Sequence, residues 1–202
     1  MADQSIVRLF RCRPLRVEFD SVLRDRMMPD LVRLPGVVDV HVGRHGPDAL
    51  GERLVASIWE SERAMVALAG TDIASSSFHP EYVDETTDRS LEVYPLAIAV
   101  RTERTDRERV MRVVRGRVRD GELDAYVNEA RAGTLHDLAT HQGPLALYLA
   151  PLPPDRFLTL SVWAEWAAIE ASTGAGTHRP DATRHAERLV DVEVAHYEVV
   201  PY

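Results

Sequence analysis

The sequence predicts an α+β fold: two ferredoxin-like units, each ordered strand-helix-strand-strand-helix-strand, packed sheet to sheet as an α+β barrel within one chain. Three observations carry this. The chain repeats itself, because Arg8, Arg11 and Arg13 in the segment 6–13 return 104 positions later as Arg112, Arg115 and Arg117 in the segment 110–117. Ser57-Ile58-Trp59 returns as Ser161-Val162-Trp163, and Gly70 as Gly174, at the same offset. Finally, 202 residues with 45% apolar content are enough for two domains of about 100 residues each. The expected division is residues 5–100, a charged linker at 101–108, and residues 109–202, read as a tandem duplication.

Each half supports the same elements in order. An apolar run at 6–13 is a strand, and Phe19, Val22, Leu23, Leu31 and Leu34 form the stripe of a helix over about 16–34, dented at Pro29. Pro35-Gly36 ends that helix and starts a strand at Val37 to Gly43. A Gly-Pro-rich turn leads to a strand at Arg53 to Trp59. Glu62 to Ala69 reads as a helix stopped by Gly70, and a last strand runs from about Ser90 to Val100. The second half repeats this as strand 109–118, helix 121–142, strands 144–151 and 156–163, helix 164–173 and strand 190–200.

Composition excludes several chemistries. All 24 basic residues are arginine, so Schiff-base catalysis, pyridoxal-phosphate anchoring and a phosphate-loop lysine are ruled out. Net charge −8 argues against nucleic acid or an anionic membrane as partner. The lone Cys12 permits no internal disulfide, and its counterpart in the other half is Gly116, which argues against a required nucleophile. The opening Met1-Ala2-Asp3-Gln4 lacks a signal-peptide pattern, and no apolar run approaches the roughly 18 residues of a membrane span, so a cytoplasmic location is expected. His41/His45 and His136/His141 lack a third ligand nearby, so no metal is expected, and His79 and His178 read as loop residues. No dinucleotide-binding glycine pattern occurs.

Strand alternation sorts side chains into two faces. The apolar set Leu158, Leu160 and Val162 is expected to meet the helices, as are Val38, Val40 and Val42. The opposite, interior face would carry Arg8, Asp39, His41, Ser57, Trp59, Glu92 and Tyr94, with Arg112, Tyr148, Thr159, Ser161, Trp163, Glu193 and Tyr197 from the second half. Polar and aromatic, that face suits a ligand pocket. The structural alternative is that Arg8–Glu92 and Arg112–Glu193 are cross-strand ion pairs and the tryptophans are packing anchors.

The segment Ser57-Ile58-Trp59-Glu60-Ser61-Glu62-Arg63-Ala64, followed by Leu68-Ala69-Gly70, and the closing Val194-Ala195-His196-Tyr197-Glu198-Val199 resemble the antibiotic biosynthesis monooxygenase-like family of the dimeric α+β barrel superfamily. The resemblance spans both halves. It implies a cofactor-free monooxygenase of small phenolic, quinol or polyketide-like substrates, as monomer or homodimer with a small-molecule ligand. His41 would be the base, Arg8 and Trp59 its catalytic companions, and Arg112, Tyr148, Trp163 and Tyr94 would bind substrate. Haem degradation is discounted, because that branch expects asparagine on the first strand, where this chain has Arg8 and Arg112. The competing reading is a non-catalytic small-molecule-binding or structural barrel.

Overall fold

The structure is a computed structural model that describes residues 4–69, 84–102, 108–140, 143–173 and 186–202. The chain forms two compact units, Met1–Pro95 with Tyr197–Tyr202, and Leu96–His196. No helix among the described residues is long and apolar enough to cross a membrane.

The first unit contains β1 (Ile6–Pro14), α1 (Phe19–Val22), a π-helical turn (Leu23–Met27), α2 (Met28–Leu31), β2 (Val37–Arg44), β3 (Arg53–Trp59), α3 (Glu62–Ala69) and β4 (Thr86–Pro95). Its strands lie in the order β4-β1-β3-β2, the antiparallel ferredoxin-like arrangement. The dent expected at Pro29 takes the form of the π-helical turn. Pro29 offers no N–H, and the chain widens just before it, with the Met28 N–H bonding to Leu23 O. Ser61 caps α3 by accepting the Ala64 N–H at 3.1 Å. Phe19, Leu23, Met28, Leu31 and Met65 from the helical segments pack on Ile6, Cys12, Val40, Val42, Val55 and Trp59 of the sheet. Arg53, only 1% exposed, ties the β2–β3 loop to α1: it donates to Gly51 O (2.6 Å), Ala49 O (2.8 Å) and Asp20 Oδ1 (2.6 Å).

The second unit contains β5 (Ile98–Arg101), β6 (Val110–Val118), α4 (Leu123–Thr140), β7 (Ala146–Leu152), β8 (Arg156–Trp163), α5 (Trp166–Thr173) and β9 (Leu189–Val199), whose last residues belong to the first unit. Its order is β9-β6-β8-β7-β5, the same ferredoxin-like arrangement with β5 added beside β7. Two groups of contacts hold α4: Arg188 Nε donates to Glu129 Oε2 at 2.9 Å, and Arg131 Nη2 to Ala97 O at 3.0 Å. The Arg101–Glu108 pair (2.7 Å) joins the described ends of the charged segment.

The boundaries differ from the sequence division. The strand expected at 90–100 is two strands broken at Leu96-Ala97: β4 pairs with β1, whereas β5 pairs with β7 of the second unit. Conversely, Glu198 and Val199 pair with Arg44 and Gly43 on β2. Gly70, His79, His141, Gly174 and His178 lie outside the described residues.

Gly36 enters β2 with φ +81, its O accepting the Glu60 N–H at 2.8 Å, and a Cβ there would lie 2.5 Å from Ala64 Cβ on α3. Gly46 has a similar φ of +74 with nothing near a Cβ. Gly36→Ala is therefore expected to cost more than the roughly 1–2 kcal/mol of left-handed strain that Gly46→Ala costs. Chemical denaturation of both variants checks this; equal losses would show that the Gly36–α3 approach has no energetic weight.

Candidate ligand site

The second unit encloses a cavity of about 100 Å³, partly open to solvent, between its sheet and α4. Its floor is Arg112 and Val114 on β6, Leu147 and Leu149 on β7, and Thr159, Ser161 and Trp163 on β8. These seven share one face by register, since β6 pairs Arg112 with Ser161 and Val114 with Thr159, and β7 pairs Leu149 with Thr159. Tyr126, Ala130, Gly133 and Thr134 of α4 line the other side at helical spacing i, i+4, i+7 and i+8; Pro144, Ser172 and Thr173 complete the wall. The small side chains Ala130 and Gly133 leave the space unfilled, while one end is closed by Tyr126 packed at 4.4 Å (ring centroids) on Phe157.

The polar groups converge on this space. Arg112 is 5% exposed. Burial pushes the Tyr126 phenol up to about 12, opposed by the neighbouring Thr159 hydroxyl and by the charge of Arg112. Trp163 Nε1 donates to Ser161 Oγ at 2.8 Å, which fixes the indole plane. Thr134 Oγ1 and Thr173 Oγ1 donate to their own helices, at Ala130 O (2.7 Å) and Ile169 O (2.9 Å). Chemically, this is one cation and a neutral phenol beside apolar and aromatic walls. It suits a small, flat ligand with one anionic oxygen.

Arg112 and Trp163, singled out from the sequence, both line the cavity. Tyr126, Thr134, Ser172 and Thr173 line it as well, and strand alternation does not point to them because they lie on helices. The signal was the small-residue face Tyr126-x₃-Ala130-x₂-Gly133-Thr134 on the long helix.

The other site expectations need correction. Arg8, Ser57 and Trp59 do not share a face with Asp39, His41, Glu92 and Tyr94. In β1–β3 register Arg8 opposes Ser57 and Ile6 opposes Trp59, and that face carries the helices through Val55, Trp59 and Cys12. His41 opposes Ala56 and Tyr94 opposes Val7, on the reverse face. The same inversion holds in the second unit: Arg112, Thr159, Ser161 and Trp163 lie under α4, whereas Tyr148 opposes Leu160 on the reverse face. The physical reason is that β3 is buried along its whole length, so apolarity does not mark the helix side. His41 and Tyr148 do occupy matching register positions, since their partners Ala56 and Leu160 are 104 residues apart.

His41 Nε2 sits 2.9 Å from Asp39 Oδ2, both side chains buried. The proposed Arg8–Glu92 pair is not formed across the strands; Glu92 opposes Leu9 and pairs with Arg11 at 3.6 Å. Glu193 is exposed, while its neighbours Val192 and Val194 pack toward the α4-side cluster, which turns it away from Arg112. Arg8 is 4% exposed, its guanidinium 5.9 Å from the Phe10 ring centroid, and burial lowers it from 12.5 to about 10. Trp59 Nε1 donates to Ser57 Oγ at 3.0 Å. Burial pushes the Cys12 thiol up to about 12, so it is un-ionised at neutral pH.

No protein-family profile matches the sequence, and no curated protein sequence matches it significantly. Solved structures do. A candidate monooxygenase from Fusobacterium nucleatum is 11% identical at TM-score 0.74, covering 99% of this chain and 94% of its own. A candidate monooxygenase from Lactobacillus acidophilus is 14% identical at TM-score 0.70, with 98% and 95% covered. An anthrone oxidase-like protein is 16% identical at TM-score 0.57, with 98% and 92% covered. At such identity the likeness is one of fold. The chain has the ferredoxin-like α+β fold of antibiotic biosynthesis monooxygenase-like proteins.

The raised Tyr126 value carries a sign. Between pH 10 and about 12 an unfolded chain has released this proton while the folded chain still holds it, so stability present below pH 10 is lost as pH rises through that window. Tyr197, also raised to about 12, adds the same trend. Tyr126→Phe is expected to flatten the fall of unfolding free energy between pH 10 and 12. Denaturant titrations across that range check it, and an unchanged slope would contradict it.

Proposed function

We propose that the second unit binds a small phenol or enol as its anion beside Arg112 and presents it to O₂ without a cofactor, as a monooxygenase. One observation carries the reading: a buried guanidinium and the Tyr126 phenol at the wall of a largely apolar cavity. Placed there, a phenolic O–H is acidified by the Arg112 charge, and its proton leaves through the open side to solvent. Arg112 and the Tyr126 O–H stabilise the oxyanion; Trp163 and Leu149 hold the ring. Negative charge delocalised to an activated CH₂ lets that carbon reduce O₂. The net change is CH₂ + O₂ → C=O + H₂O, with O₂ the oxidant and one of its oxygens retained.

The shared fold with candidate monooxygenases and an anthrone oxidase-like protein supports the reading without assigning a substrate. Haem fits less well. The cavity of about 100 Å³ is below the ~300 Å³ at which pockets for drug-sized ligands begin, and among the described residues no histidine lines it. His41 stands outside the lining, so ionisation of the substrate is driven by Arg112. A second reading, a non-catalytic binder of small organic anions, is favoured by one fact: the Tyr126 phenol, raised to about 12, is no base at neutral pH.

The test uses two probes. Bound 4-nitrophenol should ionise at lower pH than in water, read by its visible band, and Arg112→Met should weaken its binding about tenfold or more. Oxygen uptake with an anthrone should exceed the uncatalysed rate and fall in Arg112→Met, with His41→Ala altering stability more than rate. Binding without uptake supports the second reading. No binding to a folded protein overturns both.

A further inference from the structure

Resting on the reading above, we propose that Val114 is the specificity-determining residue of the cavity, and that the ligand's aromatic ring takes the place beside Arg112 that Phe10 takes beside Arg8. The two units carry the same frame at the same register. Arg8 opposes Ser57 and Phe10 opposes Val55; Arg112 opposes Ser161 and Val114 opposes Thr159. Each tryptophan donates to the serine two residues before it. Arginine, serine and tryptophan are therefore held alike, and the residue two along from each arginine, on the same helix-facing side, is what changes.

In the first unit that residue is phenylalanine, and its ring lies 5.9 Å from the Arg8 guanidinium carbon, within cation–π range. In the second it is valine, four carbons smaller, and Val114 lines open space together with Arg112. The opposing residue changes in step: Val55, packed in the first unit's core, corresponds to Thr159, which adds a hydroxyl to the cavity wall that Tyr126 also lines. The first unit thus holds an internal aromatic group where the second leaves room for an external one. The ligand class that follows is a monoanion built on one aromatic ring, the ring beside the guanidinium as Phe10 is beside Arg8 and its anionic oxygen shared between Arg112 and Tyr126, with any further rings extending through the open side.

The experiment is 4-nitrophenol binding to Val114→Phe, Val114→Ile and Arg112→Met, each checked by circular dichroism and thermal unfolding. Val114→Phe supplies the ring from the chain itself and should weaken binding at least tenfold at unchanged or raised Tm, while Val114→Ile stays within about threefold of wild type. Should Val114→Phe fail to fold, Val114→Met fills the same space with a flexible chain and should show the same loss. Wild-type affinity in the filled variant, with binding lost in Arg112→Met, would overturn the Val114 proposal and leave the Arg112 site standing. Wild-type affinity in both would overturn the proposal and the cavity reading together.

Discussion

A guanidinium buried on the helix-covered face of a sheet is the constraint from which the rest follows. Removing a cation from water is costly unless neighbouring dipoles, rings or anions replace the lost hydration. Burial lowers Arg8 to about 10, and an aromatic ring, that of Phe10, lies 5.9 Å from its guanidinium carbon. Arg112 occupies the same register in the second unit but meets a phenol, hydroxyls and open volume. The same residue at the same strand position is packed beside a ring in one unit and lines a cavity in the other.

Secondary features serve that arrangement. The Trp163–Ser161 hydrogen bond holds the indole as a wall, and Arg188–Glu129 with Arg131–Ala97 O fixes α4 above the floor. Because α4 presents Ala130 and Gly133 there, its attachment at both flanks does not close the space. In the first unit Phe19, Leu23, Met28 and Met65 fill the corresponding layer, and Pro29 is absorbed by the π-helical turn without breaking that packing.

Much of this architecture was legible beforehand. The strands Arg53–Trp59 and Arg156–Trp163 begin and end where alternation and turn residues place them, and the offset of 104 reappears in the pairing of Arg8 with Ser57 and Arg112 with Ser161. Alternation placed Val40 and Val42 of β2 on the helix side, where they lie, but assigned β1, β3, β6 and β8 the opposite sense. Both faces of β3 and most of β8 are buried, so an all-apolar row such as Leu158, Leu160, Val162 does not identify the helix side. The reversed sense on β1 and β3 separates His41 from Arg8 and Trp59, and on β6 and β8 it brings Arg112 and Trp163 to the cavity lining. The break at Leu96-Ala97 did carry a signal, since Pro95 ends β4 directly before it, and the pairing then divides residues 90–100 between β1 and β7. Tyr126 stayed invisible as a site residue because a tyrosine on a long helix more often packs than binds.

We place the small aromatic anion under α4, against Arg112. A crystal structure of the chain grown with 4-nitrophenol tests that placement. The ring is expected in the second unit's cavity, its oxygen within hydrogen-bonding reach of Arg112 or Tyr126. Density for the probe only elsewhere, for instance beside the Asp39–His41 pair, with the Arg112 cavity empty, would contradict it.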